Sequence, residues 1–152
     1  MKKYSIAEAQ TIENKEGQDS AYDVLRGKRI MVVDDMEVNR AIVREAFVSA
    51  GAFVEEAADG REALNLFALA PNSFDMIFMD ISMPEMDGYA ATEAIRALRT
   101  PRAGTIPIVA LTARSYPEDA DRSFAAGMNL HLLKPVDFIQ LLNIAVQCIA
   151  DF

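Results

Sequence analysis

The chain has 152 residues, 51% hydrophobic and 25% charged, with a net charge of -8. That length suits one domain with its own core, and that charge disfavours nucleic acid as a partner. One Cys and one His exclude a disulfide framework and a four-ligand zinc site, and no apolar run is long enough to span a bilayer.

Residues 1–27 are polar, with a Gly17-Gln18-Asp19-Ser20 break and at most a weak helix over Ser5–Glu13. They read as a flexible tail or linker. Met1-Lys2-Lys3 runs into polar sequence, so no signal peptide is expected and a cytoplasmic location fits. Residues 1–28 balance five basic against five acidic residues, which places the whole acidic surplus in residues 29–152.

A single domain is expected over residues 28–152. Ile30-Met31-Val32-Val33 is a first buried strand closed by Asp34-Asp35. A helix over Glu37–Ala50 follows. Its stripe is Val38, Ile42, Glu45/Ala46 and Ser49, widened by Ala41, Val43 and Phe47, and Gly51 is its C-cap. Phe53–Ala57 is a second strand, and Arg61–Ala70 a second helix with Ala63, Leu64, Phe67 and Ala68 inward. Asp75–Met79 is a third strand, apolar on both faces and closed by Asp80. Tyr89–Arg99 is a third helix, and Thr100–Thr105, with Pro101 and Gly104, a loop. Pro107–Leu111 is a fourth strand ending at Thr112. The fourth helix starts near Pro117-Glu118-Asp119, where proline is tolerated and acids suit the helix dipole, and ends at Gly127. Leu130–Leu133 is a fifth strand broken by Lys134-Pro135. The last helix opens at Val136 or Asp137, with Phe138, Leu141, Leu142, Ala145 and Ile149 on one face.

Five strands alternating with five helices predict an α/β fold, a doubly wound five-stranded parallel sheet with helices on both faces. In such a sheet all the strand ends share one edge, so Asp34, Asp35, Asp80, Thr112 and Lys134 converge without being neighbours in sequence. Singly, each has an ordinary reading as a helix cap, a turn residue or a solvated charge. Together they point to chemistry. Three carboxylates in one pocket repel one another unless a cation relieves them. Oxygen donors without His or Cys favour Mg²⁺, with Mn²⁺ as the substitute. The Lys134 ammonium and the Thr112 hydroxyl suit phosphoryl oxygens, and Asp80 can serve as the nucleophile that becomes an aspartyl-phosphate.

These residues carry a family resemblance over about residues 28–152. Val32-Val33-Asp34-Asp35, the stretch from Met79 to Gly88 (MDISMPEMDG), Leu111-Thr112-Ala113 and Leu133-Lys134-Pro135 resemble the receiver domain of two-component response regulators. The resemblance implies the flavodoxin-like three-layer receiver fold. It implies that Asp80 is phosphorylated by a histidine kinase or a histidine-containing phosphotransfer protein, and that the domain is a phosphoacceptor with slow autodephosphorylation rather than an enzyme. Asp35 and Asp80 would then ligate Mg²⁺, with Asp34 assisting through water and the Ser82 backbone carbonyl as the remaining protein ligand. The Lys134-Pro135 bond would be cis. The switch residue three before the lysine, usually aromatic in the family, is His131 here, coupled to Thr112. The fourth helix, fifth strand and fifth helix would form the output face, which could support a homodimer. The first helix, near Asn39, Arg40 and Val43, would face the phosphodonor. Asp35–Arg40 and Gly127–His131 look like receivers attached to hybrid sensor kinases, so the resemblance fits either a hybrid-kinase receiver or a stand-alone phosphorelay receiver. Arg114 and Ser82, two residues past Thr112 and Asp80, flank the site and would tune dephosphorylation.

Two other readings compete. A Mg²⁺-dependent phosphohydrolase would place its nucleophile and acid two residues apart after the first strand, where this chain has adjacent Asp34-Asp35. A flavodoxin-like nucleotide binder would want a Gly/Ser/Thr-rich phosphate loop there.

Overall fold

The five apolar runs form one parallel sheet, with β1 (Arg29–Val33), β2 (Phe53–Ala57), β3 (Met76–Asp80), β4 (Ile108–Thr112) and β5 (Leu130–Leu133) in the order β2-β1-β3-β4-β5. The computed structural model describes residues 21–113 and 117–150, without the Pro117 side chain. β3 and β4 are buried at every position, because a parallel sheet is covered on both faces. Alternate strand residues serve opposite layers. Ile30, Val32, Phe78 and Leu111 pack to one side, and Met31, Val33, Met79 and Ala110 to the other.

Among the described residues, six helices cover the sheet. α1 (Glu37–Ser49) and α6 (Phe138–Ala150) lie on the first face. α2 (Gly60–Leu69), α3 (Gly88–Arg96), the short α4 (Pro101–Thr105) and α5 (Pro117–Ala126) belong to the second. The doubly wound sheet is as expected, but there is one helix more. The expected Thr100–Thr105 loop contains α4, where the Thr100 hydroxyl accepts from Ala103 N at 3.2 Å and Pro101 takes the first helical position. Thr-Pro is a helix-start signal; the nearby Gly104 and the short length obscured it.

α1 is also rotated from the expected face. Val43, Ala46 and Phe47 are buried, whereas Val38 is 67% and Ile42 40% exposed. Two overlapping apolar stripes were available, and Phe47 decides between them. Its ring packs on Phe78 of β3 at 5.2 Å between centroids, and a buried aromatic pair outweighs two smaller aliphatic side chains. Phe138 of α6, expected on the inward face, is likewise exposed.

Ordered packing begins before the expected boundary between residues 27 and 28. Tyr22–Leu25 forms a single 3-10 turn whose Leu25 is fully buried in the α1–α6 layer. The Tyr22 hydroxyl donates to Asn143 Oδ1 at 2.9 Å, which satisfies a buried amide on α6. An apolar stretch as short as Tyr22–Leu25 carries no periodic signal, so this anchor could not be read in advance. Residues 1–20 of the expected tail lie outside the described residues. No helix among the described residues is long and apolar enough to cross a membrane.

Candidate functional site

β1 and β3 are neighbours at the centre of the sheet, flanked by β2 on one side and β4 on the other. In open α/β sheets the crevice opens at such a point, outside the carboxyl ends of the strands. Asp34 and Asp35 follow β1, Asp80 closes β3, Thr112 closes β4 and Lys134 follows β5. Asp34, Asp80 and Thr112 are 1%, 4% and 5% exposed, while Asp35 faces solvent.

The contacts join these strand ends. Lys134 Nζ donates to Asp34 Oδ2 at 2.8 Å and lies 3.1 Å from Asp80 Oδ1. The Lys134 amide donates to the Thr112 carbonyl at 2.7 Å, which ties the end of β5 to that of β4. The Lys134-Pro135 peptide is cis, as the resemblance implied. Asp34 Oδ1 accepts from the Met36 amide at 2.9 Å and from Asn39 Nδ2 at 3.4 Å, so one oxygen orders the start of α1 and the other meets the lysine.

Burial, and then the charge of Asp34, push the Asp80 carboxyl above the usual range, against the opposing pull of Lys134 and a backbone hydrogen bond from Ser82. Burial pulls the Lys134 ammonium down. Its hydrogen bond to Asp34 and the charges of Asp80 and Asp34 outweigh this, so its pKa is raised. The site therefore holds a firmly charged ammonium beside a carboxylate that resists ionisation, a state that a second cation would relieve.

The donor set fits a hard divalent ion. One carboxylate oxygen each from Asp34, Asp35 and Asp80 lie within 4.8 Å of one another. Oxygens around one octahedral Mg²⁺ sit about 3–4 Å apart, given bonds of roughly 2.1 Å, so small side-chain rotations would close them on an ion.

The turn from β3 to α3 is built around a close approach. The Gly88 amide donates to the Ile81 carbonyl at 2.9 Å, and the Asp87 side chain caps α3 by accepting from Ala90 N at 2.8 Å. Glu85 takes a left-handed backbone, φ 65°, to close the turn. Ser82 lies on this turn, exposed, and with Thr112 borders a cleft of about 190 Å³ that Tyr89, Asp119 and Arg122 also line. The Arg122 guanidinium stands 4.3 Å over the Tyr89 ring. Arg114 lies outside the described residues.

His131 sits on the other side of β5 from Leu130 and Leu132, which pack in the α1–α6 layer. It is half-buried toward α5, with Nδ1 3.4 Å from Ser123 Oγ, and Ser123 in turn donates to the Asp119 carbonyl at 2.9 Å. Its register partner on β4 is Ala110, whereas Thr112 pairs with Leu133.

Sequence reasoning missed two features. Gly88 is packed against the backbone of Asp80. Arg40 donates to the Asp34 carbonyl at 2.7 Å and is ion-paired with Glu56 of β2. No local pattern announces either, because both depend on contacts between elements that the chain joins only in space.

A doubly wound parallel sheet with an acidic cluster in its central crevice is a flavodoxin-like architecture with a candidate cation site. The chain belongs to the response regulator receiver domain family, whose model matches residues 30–146, and it is thus a signalling domain of two-component phosphorelays. It is 38% identical over 125 residues to probable histidine kinase 2 of Oryza sativa subsp. indica, and 37% identical over 123 residues to sensor histidine kinase GacS of Pseudomonas protegens. These matches cover 74% and 80% of this chain but only 12% and 13% of those proteins. Among solved structures it is similar to the receiver domain of a sensor histidine kinase from Pseudomonas aeruginosa with magnesium ion coordinated in the active-site cleft. That match has 35% identity and a TM-score of 0.72, covering 82% of this chain and 98% of that one. It is also similar to chemotaxis protein CheY4 of Vibrio cholerae, with 34% identity and a TM-score of 0.74, covering 80% and 98%. The kinase relatives agree with the resemblance to receivers attached to sensor kinases.

Proposed function

We propose that Asp80 accepts a phosphoryl group from the histidine of a kinase or phosphotransfer protein and that the adduct biases the face formed by α5, β5 and α6. The observation that carries this reading is the Lys134 ammonium, 2.8 Å from Asp34 and 3.1 Å from Asp80, beside three carboxylate oxygens within 4.8 Å of one another. An Asp80 oxygen forms the new O–P bond as the N–P bond of the phosphohistidine breaks, and the released imidazole takes up a proton. Lys134 and the Thr112 hydroxyl hold phosphoryl oxygens and position the group without covalent chemistry of their own. Asp34, Asp35, Asp80 and the Ser82 carbonyl would hold Mg²⁺, or Mn²⁺ in its place. The ion supplies neutralisation of the charge that develops on the phosphoryl oxygens. Slow hydrolysis of the adduct resets the domain. This is a cytoplasmic role, since the phosphodonor is charged from ATP. On the output face, Leu133, Phe138 and Ile139 are exposed apolar residues suited to a partner or to a second copy. His131 borders the same face and would transmit the change at Thr112.

The test is intact mass after incubation with Mg²⁺ and acetyl phosphate. One phosphoryl adduct is expected, lost with chelator and absent in Asp80→Asn. An adduct that survives Asp80→Asn would overturn the reading. Multiple turnover of a small phosphate ester without an adduct would favour the phosphohydrolase.

The phosphodonor surface has its own support. Met36, Val38 and Ile42 are exposed beside an apolar cleft of about 250 Å³ that reaches Asp34 and Lys134 between α1 and Pro135-Val136. Exposed apolar side chains at the mouth of a reactive site suit a partner helix. Val38→Asp or Ile42→Asp is expected to slow transfer from a phosphorylated phosphotransfer protein by roughly 10-fold, the scale of one lost interface anchor. Labelling by acetyl phosphate should stay within about 2-fold, because a small donor needs no docking face. Single-turnover kinetics with both donors checks this, and equal slowing by both would sink it.

A further inference from the structure

We propose that Arg40 is a positioning residue for the metal-binding carboxylates, acting through the Asp34 backbone carbonyl; this rests on the metal reading above. The turn between β1 and α1 must hold two adjacent aspartates in different attitudes, Asp34 buried and Asp35 toward solvent. The Asp34 amide is held by the Ala57 carbonyl at 3.1 Å. The Asp34 carbonyl is held by Arg40 Nη1 at 2.7 Å.

Arg40 is itself fixed. Its side chain is 16% exposed, and its Nε meets Glu56 Oε1 at 3.2 Å. The other Glu56 oxygen takes Arg44 Nη1 at 2.7 Å. The edge strand β2 thus reaches through Glu56 and Arg40 to the peptide that joins the two aspartates. That peptide sets where Asp35 projects relative to Asp34 and Asp80. Groups that hold a ligand residue without touching the ion tune metal affinity by orienting that residue.

The sign of the effect separates positioning from simple electrostatics. A guanidinium near an acidic cluster repels an incoming cation, so its removal should tighten metal binding if charge alone counts. If Arg40 orients the ligands, its removal weakens binding in spite of the lost positive charge. Glu56 explains how the protein accommodates a cation there, since its carboxylate compensates the guanidinium.

The experiment is calorimetric titration of Mg²⁺ into the wild-type chain, Arg40→Ala, Arg40→Lys and Arg44→Ala, with metal-free melting curves alongside. Arg40→Ala is expected to weaken Mg²⁺ roughly 10-fold. Arg40→Lys, which can still reach the carbonyl and keeps the test alive if the alanine variant folds poorly, should recover part of the loss. Arg44→Ala, which touches Glu56 but not Asp34, should stay within about 2-fold. Binding by Arg40→Ala as tight as wild type or tighter overturns the proposal, and so does an equal loss in Arg44→Ala, which would signal general loosening. Absence of Mg²⁺ binding by the wild-type chain would instead overturn the metal reading.

Discussion

Gly88→Ala is expected to destabilise the protein by about 3 kcal/mol, at the upper end for an overpacked site, and to lower its melting midpoint by roughly 6–12 °C for a domain of this size. A Cβ at residue 88 would clash with the Asp80 carbonyl oxygen and stand 2.9 Å from Ile81 Cα and 3.0 Å from the Asp80 carbonyl carbon. All three are backbone atoms, so no flexible side chain can yield. Either α3 backs away from the end of β3, or Asp80 moves out of line with Asp34 and Lys134. Mg²⁺ affinity should therefore fall together with stability. Gly104→Ala is the matched control. It lies in α4, exposed, with nothing within 4 Å of its added Cβ. Helix propensity alone should make that change neutral or stabilising by up to about 1 kcal/mol. Urea unfolding of both variants checks the pair, and a Gly88→Ala protein as stable as Gly104→Ala would refute the close-approach argument.

Asp80→Asn is expected to have the opposite sign. In the absence of metal it should melt roughly 2–4 °C higher than wild type, corresponding to about 1 kcal/mol. Burial and Asp34 hold the Asp80 carboxyl above its usual range. An acid whose folded pKa is raised stabilises the fold below its unfolded pKa, and that contribution is lost as pH rises through the folded pKa. At neutral pH the ionised group therefore works against folding, and the amide does not. Lys134 keeps Asp34 as a partner at 2.8 Å in the variant, so no ammonium is stranded. The advantage of the variant should shrink as pH falls through the raised Asp80 pKa and vanish below the ordinary carboxylate range. Saturating Mg²⁺ should stabilise wild type more than the variant and narrow or invert the gap. Melting curves at neutral and acidic pH, with chelator or with Mg²⁺, give all four values. A lower midpoint for Asp80→Asn in chelator at neutral pH would contradict the electrostatic account. With the higher midpoint expected, Asp80 is a place where stability is given up for the proposed reactivity, as functional sites commonly are.

How far the site could be read in advance follows from the kind of signal each residue leaves. Asp34, Asp35, Asp80, Thr112 and Lys134 each stand at or just past the end of a short apolar run, and parallel topology sends all such ends to one edge. Their convergence needed only the alternation of strands and helices. His131 was legible as a position in β5 but not as a contact. Its approach to Ser123, and so its place facing α5, depends on the β4–β5 register and on where α5 docks. Val38 and Ile42 show the same limit on α1. Periodicity offered two apolar stripes, and only the Phe47–Phe78 pair decided that Val38 and Ile42 would face solvent beside the site.

Local sequence thus determined the sheet, the order of its strands' chemistry and the charge of the cluster, because strand runs, turn residues and strand-end carboxylates are short-range features. The tertiary structure decided distances and orientations. It set the lysine between Asp34 and Asp80, the glycine that lets α3 approach Asp80, and the Glu56–Arg40 bridge behind Asp34. These arise where residues far apart in the chain meet in a close-packed interior, and packing at that density admits few arrangements that no local pattern specifies.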